Sequence, residues 1–482
     1  MSKPCIVWFR HDLRLADNPA LAAAAAQGAP VIPLFILDDE TPGRWRLGGA
    51  ARWWLHGSLA SLARDLGRLR APLVLRRGLA QRVLLGAVEE SGARAVFWNR
   101  GYEPFVVQRD RQIKAALRGR GIAVESFKAT LLHEPWTMGR RGEPFAVYAQ
   151  FARALRRLPP PEPPLEAPAT LPGPQHALAG DRLDDWRLRP SSPDWAQGLR
   201  RTWRPGEAQA LARLEHFMAG GIERYAVDRH RPDLDLTSRL SPHLRFGEIG
   251  PRQLWRALDA LRAVPGGRAG RGIGAFAREL HWREFAYHLL HHHPDLPDRA
   301  LDPAFDRLAW RDAPAELCAW QQGLTGYPFV DAAMRQLRAT GWMHNRLRMI
   351  VGSFLTKDLL LPWQEGAGWF WDNLVDADLA NNTLGWQWVA STGPDAVGFV
   401  RIANPVLQAR SFDPGGAFVR RWLPELAALP GALIHEPWRA PASVLADAGV
   451  RLGDTYPLPI IDHVAARRRA LAAYRQVAAA EP

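Results

Sequence analysis

The sequence predicts a two-domain protein, in which an α/β domain with a doubly wound, Rossmann-like parallel sheet precedes an all-α domain. Three observations support this architecture. Apolar runs alternate with helical segments over residues 1–130, and residues 205–482 show helical periodicity without a convincing strand. Between them, residues 158–174 contain eight prolines, which exclude regular structure and predict an extended surface linker. We therefore predict domains at 1–130 and 205–482, with a linker over 131–204.

Five apolar, β-rich runs are predicted to form the sheet. They cover residues 5–10, 31–37, 73–78, 95–100 and 124–128. Near-continuous apolar strands separated by helices, the clearest at 48–69, are typical of a parallel sheet covered on both faces. Ligands of such sheets bind at the carboxyl ends of the strands. WFRHDLRLADN stands at the end of the first strand in place of a glycine fingerprint, which argues against a standard dinucleotide site there.

Composition narrows the class of protein. The 482 residues include 62 Lys and Arg against 49 Asp and Glu, a net charge of +13. This surplus favours a polyanionic partner, although a coding bias toward arginine explains it equally well. Two cysteines exclude a disulfide scaffold and an all-cysteine metal site. No apolar stretch approaches the roughly 18 residues of a membrane span, so we expect a cytoplasmic protein with no membrane partner.

Residues 275–294 combine chemistry-bearing side chains on one predicted helix. Glu279, Trp282 and Arg283 would share a face, although an amphipathic helix with an internal ion pair is the simpler explanation. The spacing of His288 and His292 permits a metal site. A frayed, solvated helix end before Pro294 is favoured instead.

A second predicted helix, over 340–354, carries a mixed stripe. Its members at helical spacing are Trp342, Asn345, Arg346 and Met349. An inward-facing Asn and Arg are costly without partners, which favours a ligand-facing wall over a plain core. Arg348 points to a neighbouring face and needs a different partner.

Two further segments place polar groups near helix starts. Thr237, Ser238 and Ser241 are typical of a phosphate cradle, and plain helix capping explains them equally well. The other segment contains Asp376, Asp378 and Asn382, followed by Trp386 and Trp388. Its acids would cap a helix or bind the polar edge of a cofactor. A metal site is disfavoured because no His or Cys accompanies them.

Five ordered motifs resemble the cryptochrome/photolyase family, and specifically its bacterial cyclobutane pyrimidine dimer photolyases. They are WFRHDLRLADN, TSRLSPHLRFGEI, ELHWREF, TGYPFVDAAMRQLRATGWMHNRLRMI and WFWDNLVDADLANNTLGWQW. The resemblance extends over nearly the whole chain. It implies an N-terminal α/β domain, a wrapping linker and a helical FAD-binding domain. It also implies a carbon–carbon lyase in which photoexcited, reduced, anionic FAD passes an electron to a flipped-out dimer in UV-damaged DNA.

Carried over by motif position, the resemblance implies a set of flavin-binding residues. They are Tyr225, Thr237, Ser238, Arg239, Leu240, Ser241, Phe276, Asn345, Arg348, Asp376, Ala377, Asp378 and Asn382. Arg348 should pair with Asp376 beside the flavin, and Asn382 should approach the flavin N5. An amide at that place cannot donate a proton as a carboxylic acid can, which favours the anionic flavin and repair over signalling.

The resemblance also implies a lesion face and an electron chain. The lesion-facing and DNA-binding residues would be Glu279, Trp282, Arg283, Asn345, Arg346, Met349 and Trp388, with Arg229 and Gln408 as weaker candidates. Glu279 would hydrogen-bond to the dimer and stabilise developing charge, while Trp282 and Trp388 form an apolar wall. Arg283 and Arg346 would hold phosphates. Trp386, Trp363 and Trp310 match the family's chain that reduces oxidised FAD in light.

The sequence departs from the family pattern at several places. Phe276 stands where relatives often have Trp, and the altered motifs at 399–405 and 408–414 predict weaker DNA contacts. Phe105 and Val106 replace the Asn-Glu pair of folate-binding relatives. This replacement argues against the usual methenyltetrahydrofolate site, so a deazaflavin antenna, a differently placed methenyltetrahydrofolate and no antenna all remain open.

Three alternatives to dimer repair stand beside it. The first is a cryptochrome-like blue-light receptor, which Asn382 and the lesion-facing residues argue against. The second is a (6-4) photoproduct photolyase, whose relatives usually place a His pair on the lesion face. The third is a flavoprotein without a DNA substrate, which leaves the arginine and indole face unexplained. We expect a monomer whose partner is UV-damaged DNA in a bacterial nucleoid.

Overall fold

The N-terminal part of the chain folds around one parallel sheet. The structure is a computed structural model that describes residues 3–139, 143–174, 178–264, 269–394 and 400–479. The strands are β1 Cys5–Phe9, β2 Val31–Leu37, β3 Val74–Arg77, β4 Ala95–Asn99 and β5 Ala123–Phe127. Their order is β3-β2-β1-β4-β5, all parallel, with Cys5 of β1 paired to Val31 and to Ala95. All five predicted strands are confirmed.

Helices cover both faces of this sheet. They are α1 Pro19–Ala26, α2 Gly49–Arg68, α3 Ala80–Ser91 and α4 Pro104–Arg118. Every residue of β1, β2 and β4 is buried, as continuous apolar strands require. Helix α1 begins where Asn18 accepts the Leu21 N–H and Pro19 takes the first helical position. The helix expected over 48–69 is α2.

The segment between the domains is mostly irregular. It contains the short helices α5 Tyr148–Leu155 and α6 Gln197–Thr202. Residues 158–174 form neither helix nor strand, as their prolines predict. The Leu165 N–H donates to Asp17, and the Val31 N–H donates to the Pro172 carbonyl. These bonds hold the proline-rich segment against the α/β domain.

The rest of the described chain is helical. The helices are α7 Glu207–His216, α8 Ile222–Asp228, α9 Ser241–Arg245, α10 Pro251–Arg262, α11 Gly270–His292, α12 Pro314–Gln322, α13 Pro328–Thr340, α14 Asn345–Ser353, α15 Trp363–Asn373, α16 Leu379–Ala390, α17 Pro405–Phe412, α18 Ala417–Trp422, α19 Ala442–Asp447 and α20 His463–Ala479. Its described residues form no strand beyond an isolated bridge between Leu452 and Tyr456. None of the helices in the described ranges combines the length and apolar character that crossing a bilayer requires.

The first motif lies at the junction of the two domains. Arg14 is fully buried and donates to the carbonyls of Gly247 and Ala129, at 2.9 and 3.1 Å. Asp17, also buried, forms an ion pair with the guanidinium of Arg252 at 2.5 Å. Buried charges persist only when they are paired and hydrogen-bonded. WFRHDLRLADN therefore fixes the α/β domain against the helices that form the site.

Candidate active site

Two adjoining cavities open within the helical domain. The large cavity, about 420 Å³, lies between α11, α14 and α16 and includes Trp282, Met349 and Trp388. The small cavity, about 280 Å³, lies beside it and includes the turn from Thr237 to Ser241. Eight residues border both, namely Arg229, Glu279, Arg283, Asn345, Arg348, Asp376, Asp378 and Asn381. The two spaces therefore form one continuous site.

Every residue expected to bind flavin lines one of these cavities. Ala377 and Asn382 line the large cavity, and the other eleven predicted residues line the small one. Helix α9 begins at Ser241, so the hydroxyls of the 237–241 turn lie just before its first turn. Arg239 has a left-handed backbone conformation, with φ of 50°, and its guanidinium lies 5.2 Å from the centre of the Trp342 ring. The turn thus places hydroxyl and guanidinium donors together, which suits a phosphate group.

An acidic segment forms the boundary between the cavities. Arg348 donates to Asp376 at 2.8 Å and to the Met343 carbonyl at 2.8 Å, so the expected ion pair is present. Asp378 caps α16 by accepting the Asn381 N–H at 2.9 Å, and it also accepts the Tyr287 hydroxyl. The second oxygen of Asp376, Oδ1, is buried and has no hydrogen-bond partner in the described chain. A buried acceptor without a partner fits the polar ring edge of a bound flavin.

The large cavity combines an apolar wall with charged groups. Glu279 accepts a hydrogen bond from Arg229 at 2.6 Å, so the two charges neutralise each other. Arg401 is exposed and does not line the cavity, although its guanidinium lies 5.8 Å from the ring centre of Trp388. Asn382 donates its amide to the Ala367 carbonyl at 3.1 Å, which holds the side chain between α15 and α16.

Arg346 has an unusual set of contacts. Its guanidinium meets Nδ1 of His230 at 3.0 Å and lies 4.7 Å from the ring centre of Phe412. Burial, with the charges of Arg346 and Arg229, lowers the pKa of His230 to about 4, so this histidine is a neutral acceptor. Among the arginines of the large cavity, Arg346 is the one without a carboxylate partner in the part of the chain described here. A cation left open in this way is suited to a phosphate.

Arg283, which was expected to hold a phosphate, makes contacts across the domain junction. It donates to the Thr130 carbonyl at 2.6 Å across the domain junction and lies 5.0 Å from the Tyr287 ring centre. Its side chain is 12% exposed and lies 3.9 Å from Glu284. Arg283 thus spans the domain junction while it lines both cavities, and its phosphate-binding role stays a prediction. Gln408, the weaker DNA candidate, lies half-buried on α17 outside both cavities.

Two local predictions about helices were wrong. Helix α14 begins at Asn345 with His344 as its N-cap, so Trp342 precedes the helix and is not part of its stripe. Helix α11 continues to His292, and His288 is fully buried, where it accepts the Phe145 N–H at 3.0 Å. The prediction of a solvated helix end is therefore wrong.

No group of three or more metal-binding side chains occurs among the residues that the structure describes. Part of the altered motif at 399–405 lies outside the described residues.

The three tryptophans of the expected electron chain differ in exposure. Trp386 and Trp363 are buried, and Trp310 is partly exposed. The Trp386 ring lies against Gly366, where an added Cβ would come within 2.1 Å of it. Gly366 is one helical turn after Trp363 on α15, so the backbone of α15 packs directly on Trp386. Electron transfer along these three tryptophans stays a prediction.

A further cleft, of about 110 Å³, lies between the two domains at the carboxyl ends of the strands. Its lining includes Phe105 and Val106 together with Trp8 and Tyr102, whose Nε1 and hydroxyl are buried without partners in the described chain. Arg245 also lines it, and donates to the Ala377 carbonyl at 2.5 Å. Phe105 and Val106, which replace the Asn-Glu pair of folate-binding relatives, therefore line this interdomain cleft.

The fold and the site define a two-domain protein built to hold a flavin beside a large cavity. The family model described as DNA photolyase matches residues 5–169, and the model described as the FAD binding domain of DNA photolyase matches residues 276–476. The chain belongs to the DNA photolyase family, and it has the family's FAD-binding domain.

Relatives agree with this assignment. The chain is 48% identical to a deoxyribodipyrimidine photo-lyase of Agrobacterium fabrum, over 98% of each chain. It is 42% identical to Cryptochrome-1 of Arabidopsis thaliana, over 95% of this chain and 68% of that protein. The crystal structure of a bacterial class III photolyase from Agrobacterium tumefaciens matches with a TM-score of 0.95 and 47% identity, covering 99% of this chain and 98% of that one.

Several residues of the site had no counterpart in the sequence prediction. They are His230 and Phe412 beside Arg346, Tyr287 at Asp378, and Arg245 at Ala377. Each contact joins residues far apart in the chain. Of these residues, only His230 lies outside the segments that the sequence analysis singled out.

Proposed function

We propose that this protein uses light and reduced FAD to repair cyclobutane pyrimidine dimers in DNA. The observation that carries the proposal is the shared border of the two cavities. The lining of the small cavity suits the flavin. The large cavity has an apolar wall and the unpaired guanidinium of Arg346, which suit a flipped-out pyrimidine dimer. Because residues such as Asn345 border both, a lesion in the large cavity would lie directly against the flavin.

The residues of the large cavity divide the work. Trp282 and Trp388 would stack against the extruded pyrimidines, a contact of roughly 1–3 kcal/mol per base. Arg346 would hold a phosphate of the distorted strand. Glu279, kept in place by Arg229, would hydrogen-bond to the dimer. A dimer pairs poorly in the duplex, so extruding it costs less than extruding normal bases.

The residues around the flavin control protons and electrons. When bound, reduced FAD would supply an electron in light that opens the cyclobutane ring and then returns to the flavin, so repair consumes no electron. Asn382 presents an amide, which has no acidic proton to give to the flavin N5 and so favours the anionic form. Trp386, Trp363 and Trp310 would carry an electron inward from the surface to reduce oxidised FAD in light, outside the repair reaction.

A blue-light receptor is the second candidate function. The 42% identity to Cryptochrome-1 of Arabidopsis thaliana favours it. Against it stand the amide of Asn382 and an intact set of base-stacking and phosphate-binding side chains, which a receptor does not need. Repair of the (6-4) photoproduct is disfavoured because Asn345, Arg346 and Met349 occupy the wall where a histidine pair is expected.

Illumination of the reduced protein with a thymine-dimer oligonucleotide tests the proposal. A dark control and a (6-4) substrate are run in parallel. We expect light-dependent recovery of thymine absorbance from the dimer alone. Failure with FAD bound and photoreducible would favour the receptor, and recovery from the (6-4) substrate alone would change the lesion class.

A further inference from the structure

One face of the Trp282 indole is covered by a residue from the interdomain segment. The rings of Trp282 and Tyr148 are parallel within 6°, and their centroids are 3.6 Å apart. Trp282 lines the large cavity and Tyr148 does not. Tyr148 therefore covers one face of the indole from outside the cavity lining.

Tyr148 is itself fixed from several sides. It is the first residue of α5, and its hydroxyl donates to the Arg278 carbonyl at 3.3 Å, one residue before Glu279. Phe285 meets the Tyr148 ring and the Trp282 ring edge-on, each at 5.8 Å. Burial and the nearby Glu279 charge raise the pKa of Tyr148 to about 12, so the hydroxyl remains a donor at neutral pH. The stack thus joins the interdomain segment to the part of α11 that forms the lesion wall.

We propose that Tyr148 is a positioning residue that holds Trp282 with its free face toward a flipped-out pyrimidine dimer. The proposal rests on the function proposed above. An unrestrained tryptophan would lose side-chain freedom when the lesion stacks on it, and that loss weakens binding. With Tyr148 in place, the ring is already immobilised, so stacking costs less.

This role has a distinctive signature because it involves no charge. Loss of the Tyr148 ring should weaken binding of the dimer without changing the number of phosphates contacted. The slope of log affinity against log salt should therefore stay at its wild-type value. Binding of undamaged DNA, which places no base on Trp282, should also stay unchanged.

The test compares the wild type with Tyr148→Ala, Tyr148→Phe, Trp282→Ala and the double variant that combines Tyr148→Ala with Trp282→Ala. Gln150→Ala, at an exposed position on the same helix, is the matched control. Dissociation constants are measured in the dark for dimer-containing and undamaged oligonucleotides over a range of salt. Aromatic pairs of this kind predict a loss of roughly three- to tenfold for Tyr148→Ala. Tyr148→Phe keeps the ring and should bind nearly as the wild type does.

The double variant separates positioning from general packing. If Tyr148 acts through Trp282, Trp282→Ala alone and the double variant should bind the dimer equally weakly. Additive losses, or a loss for Tyr148→Phe equal to that for Tyr148→Ala, would overturn the inference. Unchanged dimer affinity in Tyr148→Ala would also overturn the inference. If the wild type still prefers the dimer, this outcome leaves the proposed function intact. A wild type without any preference for the dimer would overturn both.

Discussion

Charge in the large cavity is balanced residue by residue. Glu279 pairs with Arg229, and Asp376 pairs with Arg348. Arg346 instead faces a neutral histidine and an aromatic ring, which orient the guanidinium without neutralising it. The cavity thus keeps one positive charge available at its edge, where a DNA phosphate would meet it.

Arg346→Ala should weaken binding of damaged DNA and lower its salt dependence. Removal of one phosphate contact reduces the slope of log affinity against log salt by about 1. Binding of a dimer oligonucleotide at several salt concentrations measures this. Arg338→Ala, which removes an exposed arginine of α13, is the charge-matched control. An unchanged slope in Arg346→Ala would remove this residue from the phosphate contacts.

Glu279→Ala should lower the repair yield per absorbed photon more than it lowers affinity. The carboxyl group is expected to act on the charged dimer during ring opening, whereas stacking supplies most of the binding. Repair yield under weak illumination is compared with the dissociation constant measured in the dark. Glu215→Ala, at an exposed site on α7, is the control. Equal loss of yield and affinity would assign Glu279 to binding alone.

At the scale of elements, α11 does more than its motif indicates. One side carries Glu279 and Trp282 into the cavity, while Glu284 and His288 hold the interdomain segment on the other. The Glu284 carboxylate accepts the N–H groups of Leu132 and His133, each at about 3.0 Å. Helix α11 therefore forms one wall of the large cavity and also anchors the interdomain segment.

Stability should depend on pH through Glu284. Burial raises the pKa of its carboxyl group from 4.5 to about 7. The folded protein then binds this proton more tightly than the unfolded chain does, so the contribution of Glu284 to stability is fully present below pH 4.5 and is lost as pH rises through 7. Glu284→Gln keeps a carbonyl acceptor and cannot ionise.

Urea denaturation at pH 5.5 and pH 8 measures this effect. Between these values the wild type should lose on the order of 2 kcal/mol more unfolding free energy than Glu284→Gln. Glu125→Gln, at an exposed position of β5, provides the control and should behave as the wild type does. Parallel pH profiles for the wild type and Glu284→Gln would show that the carboxyl group ionises normally.

The elements also show what periodicity can predict. The strands and α2 came within one or two residues of their predicted bounds, because buried parallel strands are continuous apolar runs. The start of α14 was not predictable in the same way, since the side chain of His344 accepts the Arg346 N–H and sets that boundary. His288 looked solvated because its buried partners, Pro135 and Phe145, lie about 150 residues earlier.

At the scale of the whole molecule, the three tryptophans of the expected electron chain differ in exposure. Trp386 lines the large cavity, Trp363 is buried behind it on α15, and Trp310 is partly exposed. The two inner members of the expected electron chain are thus shielded from solvent and the outer member is not. The expected chain would account for part of the excess of 21 tryptophans over 7 tyrosines.

Trp363→Phe should slow photoreduction of oxidised FAD and leave repair by chemically reduced protein nearly intact. Phenylalanine keeps the packing but is much harder to oxidise. Flavin absorbance under illumination measures the first property, and dimer repair after chemical reduction measures the second. Trp369→Phe, on the same helix but outside both cavities, is the control. Equal loss of both activities would contradict the electron chain.

The candidate site was predictable from the sequence in its motifs and not in its supports. All thirteen expected flavin residues line the cavities, and all but Tyr225 and Phe276 fall inside the five motifs. Tyr148, His230 and Phe412 hold the lesion-facing side chains through contacts between separate segments. Such contacts depend on how helices pack, and spacing along one helix does not encode them.

The shared border of the two cavities has a thermodynamic consequence. Asn345, Asp376 and Asp378 adjoin both spaces, so ordering them for one ligand changes the free energy of binding the other. Linkage is reciprocal: the factor by which FAD changes affinity for the dimer equals the factor by which the dimer changes affinity for FAD. If FAD strengthens binding of the dimer, damaged DNA retains the cofactor in the protein by the same factor, and loss of the cofactor releases the DNA.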